Sequence, residues 1–380
     1  MRSPLSLYIH IPFCNSKCNY CAFVSSVGSD ESKSEYVDAL IKEIKLRAKT
    51  YGAMFEVTTV YIGGGTPSCL PDGAIKEIMG TIYTNFVVRN DAEITIEINP
   101  NTLTKEKAEE YLACNISRFS IGLQMAQSRL LAILGRTHKY LDFKNAVLTL
   151  QNAGATNISA DIMLGLPTQT KEDIIETIKL IDGLGVKHIS SYLLSVEEGT
   201  RFYQMLKNHE LQLPSEKECI EMYNTAYKEL KKRGYNRYEF SNFAKVGFKS
   251  KHNTIYWQRK EYLGLGVSAH SFIDNYRMAN TSDVTEYLKH ISKNEIPLEC
   301  KDLLNETDAK EETIMLSLRL TEGIDLVDYQ KQFSTNLLEE KKEAIDILIK
   351  NKFLLVEDNH LKATNEGFMV LDKIISMLAI

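Results

Sequence analysis

The feature that most constrains the fold is a regular alternation of short β-rich runs with longer helical patterns, from Leu5 to about residue 245. Runs rich in β-branched and aromatic residues predict six strands, at 7–11, 59–62, 94–98, 119–123, 158–164 and 188–194. Thr170 and Asp173 form a capping-box pattern before one of the intervening helices. Repeated strand-then-helix units predict an α/β fold with a parallel sheet. Periodicity alone leaves open a doubly wound sheet or a curled barrel.

Chemically distinctive residues collect where the predicted strands end. Cys14, the segment 63–67, Glu97, Gln124 and Asp161 all lie at or just past the carboxyl end of a strand. In parallel α/β folds these ends meet at one edge of the sheet, which is where ligands bind. The sequence therefore predicts one functional rim.

The pattern becomes mostly helical beyond residue 281. Helices are predicted at 282–293, 308–319 and 336–351, followed by a hairpin around Asp358-Asn359 and a last helix from Asn365. We expect a core domain at 1–245, a connecting region at 246–300 and a small helical or winged-helix domain at 301–380. Mixed charge on the winged part favours a lid or docking module over a DNA-binding role.

Composition restricts the compartment and the partners. The chain has no run of about 18 apolar residues and no long apolar segment near its start, so we expect a cytoplasmic protein without a membrane span. Its seven cysteines are an odd number, and three of them fall within eight positions, which suits a ligand set in a reducing compartment. A net charge of −5 offers no field for a polyanion, so nucleic acid is not an expected partner.

Cys14, Cys18 and Cys21 form a C-x3-C-x2-C pattern directly after the first predicted strand. Three thiolates so spaced can hold three corners of a [4Fe-4S] cluster, leaving one iron open to the amino and carboxylate groups of S-adenosylmethionine (SAM). A zinc site that adds His10 is an alternative, although no second cysteine pair is present. A cluster of free reactive thiols is a third interpretation, but it leaves the spacing unexplained.

The sequences around these cysteines, His10-Ile11-Pro12-Phe13-Cys14 and Cys18-Asn19-Tyr20-Cys21, resemble the radical SAM superfamily. The resemblance implies a partial (β/α)6 barrel that holds the cluster and SAM. It extends to the loop at 63–67, whose glycines permit close approach of the backbone to the ligand.

The resemblance also implies a set of SAM contacts. It implies that Arg136 pairs with the SAM carboxylate. It also implies that the carboxylates of Glu97 and Asp161 and the amide of Gln124 bind the amino or ribose hydroxyl groups of SAM. Taken singly, the acids are equally consistent with helix caps and the tyrosines with packing. The residues at the matching positions are Tyr8, Tyr20, Gly64, Gly65, Thr66, Glu97, Gln124, Arg136 and Asp161.

Within the superfamily, the chain resembles the subgroup that contains oxygen-independent coproporphyrinogen dehydrogenase and the HemW-type heme chaperones. The dehydrogenase carries a fourth cysteine two residues after the third, where this chain has Phe23. The dehydrogenase also has an N-terminal arm, whereas thirteen residues precede Cys14 here. One residue departs from the chaperones, which commonly have Asp at the position of Ala22.

A further motif, His252-Asn253-Thr254-Ile255-Tyr256-Trp257, resembles the signature of the heme chaperones and contains the only tryptophan. The resemblance implies that it handles heme, with His252 as a candidate iron ligand and aromatic rings over the porphyrin. The alternative is that His252 and Asn253 fix a loop above Tyr256 and Trp257. His270 is a second candidate ligand.

The predicted function is therefore heme binding and transfer to an acceptor hemoprotein, without coproporphyrinogen oxidase activity. The resemblance implies respiratory acceptors reached from the cytosolic side of the membrane. Two alternatives are an oxygen-independent coproporphyrinogen III dehydrogenase and a DNA-binding redox sensor.

Overall fold

Six parallel strands form the centre of the molecule in a computed structural model that describes residues 2–379. They are β1 (Ser3–Ile11), β2 (Phe55–Gly64), β3 (Val87–Ile98), β4 (Arg118–Gln124), β5 (Ile158–Leu164) and β6 (His188–Leu193). The strands lie side by side in chain order. Right-handed crossovers that always advance in one direction place every helix on the same face, so the sheet curls around its other face. This order confirms the partial barrel and excludes the doubly wound alternative.

The outer face of the barrel is covered by helices. They are α1 (Asp30–Tyr51), α2 (Ala74–Asn85), α3 (Lys105–Ala113), α4 (Ser128–Ile133), α5 (Tyr140–Ala153) and α6 (Lys171–Asp182). Helix α1 buries Tyr36, Leu40 and Ile44 in the core of the barrel domain. Helix α6 begins with the predicted capping box, because Thr170 and Asp173 each accept a backbone N–H of the other.

After β6 the chain extends the sheet at both edges. The elements are α7 (Arg201–Lys207), α8 (Glu216–Lys232), β7 (Asn236–Arg237), β8 (Asn242–Ala244), α9 (Lys251–Trp257), β9 (Tyr262–Leu265), β10 (His270–Ile273), β11 (Tyr276–Asn280), α10 (Val284–Ser292) and β12 (Leu298–Leu303). Strand β9 pairs in parallel with β1, with Tyr262 opposite Ser6. Strands β10 to β12 continue beyond β9, whereas β8 and β7 follow β6. The segment 246–300, predicted as a connection, thus contributes strands to the main sheet.

The last part of the chain has its own apolar core, from Ala309 to Leu378. Its elements are α11 (Glu306–Ser317), β13 (Ile324–Asp325), α12 (Leu326–Phe333), α13 (Leu337–Glu340), α14 (Lys342–Lys350), β14 (Leu354–Glu357), β15 (His360–Ala363), α15 (Asn365–Phe368) and α16 (Leu371–Ala379). The predicted helix at 336–351 is divided at Lys341. The β14–β15 hairpin turns through Asp358 and Asn359, both at positive φ. No helix within residues 2–379 has the length and apolarity needed to cross a membrane.

Candidate functional site

A cavity of about 310 Å³ lies at the carboxyl ends of the barrel strands. It brings together residues that the sequence scatters over almost 150 positions. Eleven of the predicted site residues line it: Cys14, Cys18, Tyr20, Cys21, Gly64, Gly65, Thr66, Glu97, Gln124, Arg136 and Asp161. The functional rim predicted from the strand ends therefore exists as one cavity.

The cysteine loop is fixed to the barrel at both of its ends. The Cys14 N–H donates to the Ser26 carbonyl over 3.0 Å, and the Ser26 N–H donates to Pro12 over 2.9 Å. Gly65 packs against the backbone of the cysteine loop, because a Cβ at this position would lie 2.6 Å from the Phe13 carbonyl oxygen. The Thr66 hydroxyl donates to Cys14 Sγ over 3.5 Å. These contacts hold the loop against the glycine segment and turn its thiols towards one cavity.

The three cysteines suit a cluster better than a zinc ion with His10. His10 Nδ1 lies 3.0 Å from the Tyr8 hydroxyl and Nε2 lies 3.1 Å from the Val24 carbonyl, so both ring nitrogens already have partners. Among residues 2–379, no three His, Cys, Asp or Glu side chains converge as ligands of one metal ion. A cuboidal cluster holds its thiolates farther apart than a single ion does. Three free thiols that border one cavity fit such a cluster.

Arg136 provides a half-buried cation at the cavity. Its Nη2 donates to the Tyr20 hydroxyl over 2.7 Å. Burial alone lowers the pKa of Arg136, but the neighbouring Tyr20 and Cys18 raise it overall, so the guanidinium stays charged. A β-bulge between Gly122 and Gln124, with Gln124 at φ +66°, places the Gln124 amide beside Arg136 and close to Gly122. The arrangement presents a fixed positive group to a ligand carboxylate.

Two half-buried carboxyl groups form the acidic side of the cavity. Glu97 accepts from the Tyr61 hydroxyl over 2.7 Å and from the Gly64 N–H over 3.2 Å. Burial, opposed by the Tyr61 hydrogen bond and reinforced by Asp161, raises the pKa of Glu97 to about 7. Asp161 accepts from the Ser120 hydroxyl at 3.1 Å, and burial raises its pKa too. These oxygens are positioned to accept from amino or hydroxyl groups of a ligand.

Some of the residues near the cavity were not predicted. Tyr61, Phe23, Met163 and Tyr192 line it. The alternation of side chains along a strand could have identified Tyr61. Tyr61 lies two residues before Gly63 on β2, so both residues are on the same face of the sheet. Tyr8, which was predicted to contact SAM, does not line the cavity. Its ring stacks on that of Tyr61, with 6.2 Å between the ring centroids.

The His252 motif forms helix α9, outside the cavity lining. His252 is buried, and its Nδ1 and Nε2 lie 2.7 Å from the hydroxyls of Thr59 and Tyr256, respectively. Asn253 and Trp257 are half-buried. The Trp257 carbonyl accepts from Ser317 of α11 over 3.5 Å. His270 is exposed at the start of β10. The structure thus does not bring the motif to the cysteine loop.

The fold as a whole is similar to that of coproporphyrinogen III oxidase (HemN) from Escherichia coli. The two structures superpose with a TM-score of 0.86 over 100% of this chain and 90% of the other, at 22% sequence identity. At that identity the likeness establishes the fold and nothing further about activity.

Sequence comparisons identify the family of the chain more specifically than the fold does. Residues 8–181 match the radical SAM superfamily, and residues 304–370 match the HemN C-terminal domain. The chain is 34% identical to the heme chaperone HemW of Bacillus subtilis (strain 168), over 87% of this chain and 88% of that protein. It is 32% identical to the heme chaperone HemW of Lactococcus lactis subsp. lactis (strain IL1403), over 97% and 95%. With these motifs, this cavity and relatives at such coverage, the chain belongs to the HemW family of the radical SAM superfamily.

Proposed function

We propose that the chain is a heme chaperone, which binds heme and transfers it to an acceptor hemoprotein under the control of a [4Fe-4S] cluster and SAM. The relatives named above are heme chaperones and align along most of their length. The observation that carries the proposal is Phe23. It lies at the cavity with 64% of its surface exposed, two residues after Cys21, where the related dehydrogenase has a thiol.

Cys14, Cys18 and Cys21 would hold the cluster, and the cavity beside them would hold SAM. A reduced cluster with SAM bound beside it would supply one-electron chemistry at the SAM sulfonium. Arg136 would pair with the SAM carboxylate, while Glu97 and the glycine backbone receive the amino group.

Size and shape argue that heme lies outside this cavity. Small-molecule sites occupy roughly 300–1,000 Å³, so about 310 Å³ suits one cofactor and not a cofactor together with a tetrapyrrole. We propose that heme contacts exposed and half-buried surface, with Asn253 and Trp257 of the motif among the candidates. His252 can reach heme iron only if the Tyr256 hydroxyl leaves Nε2.

The acceptor is proposed from the family resemblance, which points to respiratory hemoproteins reached from the cytosolic side of the membrane. A cytoplasmic location is part of the same proposal. The division of the chain into units at 1–245, 246–300 and 301–380 also stays a prediction.

Anaerobic reconstitution followed by parallel heme and porphyrinogen assays tests the function. The protein should bind heme saturably, deliver it to an apo-hemoprotein acceptor, and leave coproporphyrinogen III unchanged with SAM and reductant present. Conversion of coproporphyrinogen without saturable heme binding would establish the dehydrogenase alternative instead.

A further inference from the structure

The His252 motif lies directly beneath a wall of the cavity. Helix α9 is attached to two barrel strands: the N–H groups of Lys251 and His252 donate to Glu93 of β3, over 3.1 and 3.0 Å, and the His252 ring reaches Thr59 of β2. This placement brings the motif into contact with strands whose other residues line the cavity.

The proton arrangement around His252 follows from its neighbours. The Thr59 hydroxyl donates to Ser6 Oγ over 2.8 Å, so its oxygen is left to accept from His252 Nδ1–H. Nε2 then accepts from the Tyr256 hydroxyl over 2.7 Å. Burial, with the nearby Arg118 cation, lowers the pKa of His252 to about 3. The imidazole is therefore neutral and engaged at both nitrogens.

The face of the His252 ring packs against Tyr61. Their ring centroids are 5.1 Å apart and the planes are inclined by 30°, while Tyr8 stacks on Tyr61 at 6.2 Å. Tyr61 lines the cavity and its hydroxyl donates to Glu97 over 2.7 Å. A Cβ on Gly63 would lie 2.8 Å from the Tyr61 ring, so that glycine leaves room for this contact. The His252 ring thus packs directly against the residue that hydrogen-bonds to Glu97.

We propose that His252 is a positioning residue for the SAM cavity: its buried ring holds Tyr61 in place, and Tyr61 holds Glu97. The inference rests on the proposed binding of SAM in that cavity. In this role His252 supports the cofactor site through Tyr61 and does not ligate heme iron. Residues that orient a ligand-binding group in this way commonly change affinity by about 10–100-fold when removed.

The first test measures the affinity for SAM by calorimetry on the cluster-loaded protein. His252→Ala should weaken SAM binding by about tenfold or more and leave heme affinity unchanged. His188→Ala is the matched control, because His188 is equally buried but bonds to Ser159, Tyr238 and Arg118, and its ring packs on Tyr238 where that of His252 packs on Tyr61. It should leave SAM affinity within about twofold of wild type, since losing a hydrogen bond weakens binding only where that bond supports a group that contacts the ligand.

The second test needs neither cluster nor SAM. Infrared spectroscopy of the apo-protein should follow the Glu97 carboxyl through its titration near pH 7, with Glu97→Gln identifying the band. Because the Tyr61 hydrogen bond lowers this pKa, His252→Ala and Tyr61→Phe should both shift the midpoint upward. Other groups that act on Glu97 are unchanged in these variants: Tyr8, Arg118, Asp161, Tyr192 and Tyr256.

The outcomes separate the inference from the proposed function. Wild-type protein that binds no SAM contradicts the proposed function, whereas the infrared midpoints still test the positioning role. Unchanged SAM affinity and an unchanged Glu97 midpoint in His252→Ala, or a loss of heme binding alone, overturn the inference. If His252→Ala does not fold, Tyr256→Phe keeps both rings and removes one hydrogen bond, and it should weaken SAM binding by about threefold.

Discussion

The guanidinium of Arg136 and the hydroxyl of Tyr20 lie 2.7 Å apart at the wall of the cavity, and this bond connects the cysteine loop to the strand-end residues. Tyr20 lies between two of the thiols in sequence, whereas Arg136 follows α4. The group proposed to bind the SAM carboxylate is thus oriented by the loop proposed to hold the cluster.

Arg136→Ala should weaken SAM binding by roughly 1.5–3 kcal/mol, because it removes a charge-assisted hydrogen bond. Tyr20→Phe removes only the orienting hydroxyl and should cost less, about 1 kcal/mol. The change in the spectrum of the reduced cluster on titration with SAM measures both. Wild-type affinity in Arg136→Ala would show that another residue binds the carboxylate.

Replacing Cys14, Cys18 or Cys21 by Ala should each abolish the cluster, because each variant removes one of only three proposed protein ligands. The wild type should contain about four irons and four sulfides after reconstitution, as measured by chemical analysis. Cys219→Ala and Cys300→Ala are the controls and should retain the full content. Stoichiometric zinc without sulfide in the wild type would contradict the assignment.

Gly65→Ala should lower cluster content and destabilise the fold by roughly 1–3 kcal/mol, because the new Cβ would lie 2.6 Å from a backbone oxygen of the cysteine loop. Gly80→Ala is a matched control in α2, where a Cβ meets nothing within 4 Å. It should stabilise the protein by about 0.5–1 kcal/mol through helix propensity. Denaturant unfolding measures the stability of the two variants, and iron analysis measures their cluster content. Equal stability and equal iron content in the two variants would contradict the close contact between Gly65 and the cysteine loop.

The contribution of Glu97 and Glu239 to the stability of the apo-protein should fall as pH rises from about 4.5 to about 7. Glu97 and Glu239 have pKa values raised from 4.5 to about 7, chiefly by burial, so the folded state holds protons that the unfolded state releases. Their stabilising contribution is present below pH 4.5 and lost above pH 7. Glu97→Gln should flatten part of this slope in urea unfolding, whereas Glu172→Gln, at an exposed carboxyl, should not. A slope identical to wild type in Glu97→Gln would mean that Glu97 is ionised when folded.

Trp257→Ala should weaken heme binding if the half-buried indole covers the macrocycle, and absorption titration with heme measures the change. The cluster should survive, since its ligands belong to a separate loop. Phe23→Ser tests an exposed aromatic side chain at the cavity by the same titration. Full heme affinity in both variants would move the heme site elsewhere.

Much of the barrel was predictable because its strands carry dense runs of β-branched residues, and the bounds of β5 match the prediction residue for residue. Strand β12 was missed since its six residues, Leu298–Leu303, are all exposed and show no alternation. The site was predictable to the extent that strand ends define a rim. The burial of His252 was not, because Thr59, Tyr61 and Glu93 reach it only through tertiary packing.

Strand β9 pairs with the edge of β1, with Tyr262 opposite Ser6, so this edge of β1 stays open until the ribosome has synthesised β9. At about 5–20 residues per second, Tyr262 leaves the ribosome roughly 10–50 s after Ser6. Until then the outer edge of β1 exposes unpaired backbone groups, a template for aggregation. The nascent chain therefore has a window in which protection of that edge by a ribosome-associated factor is useful.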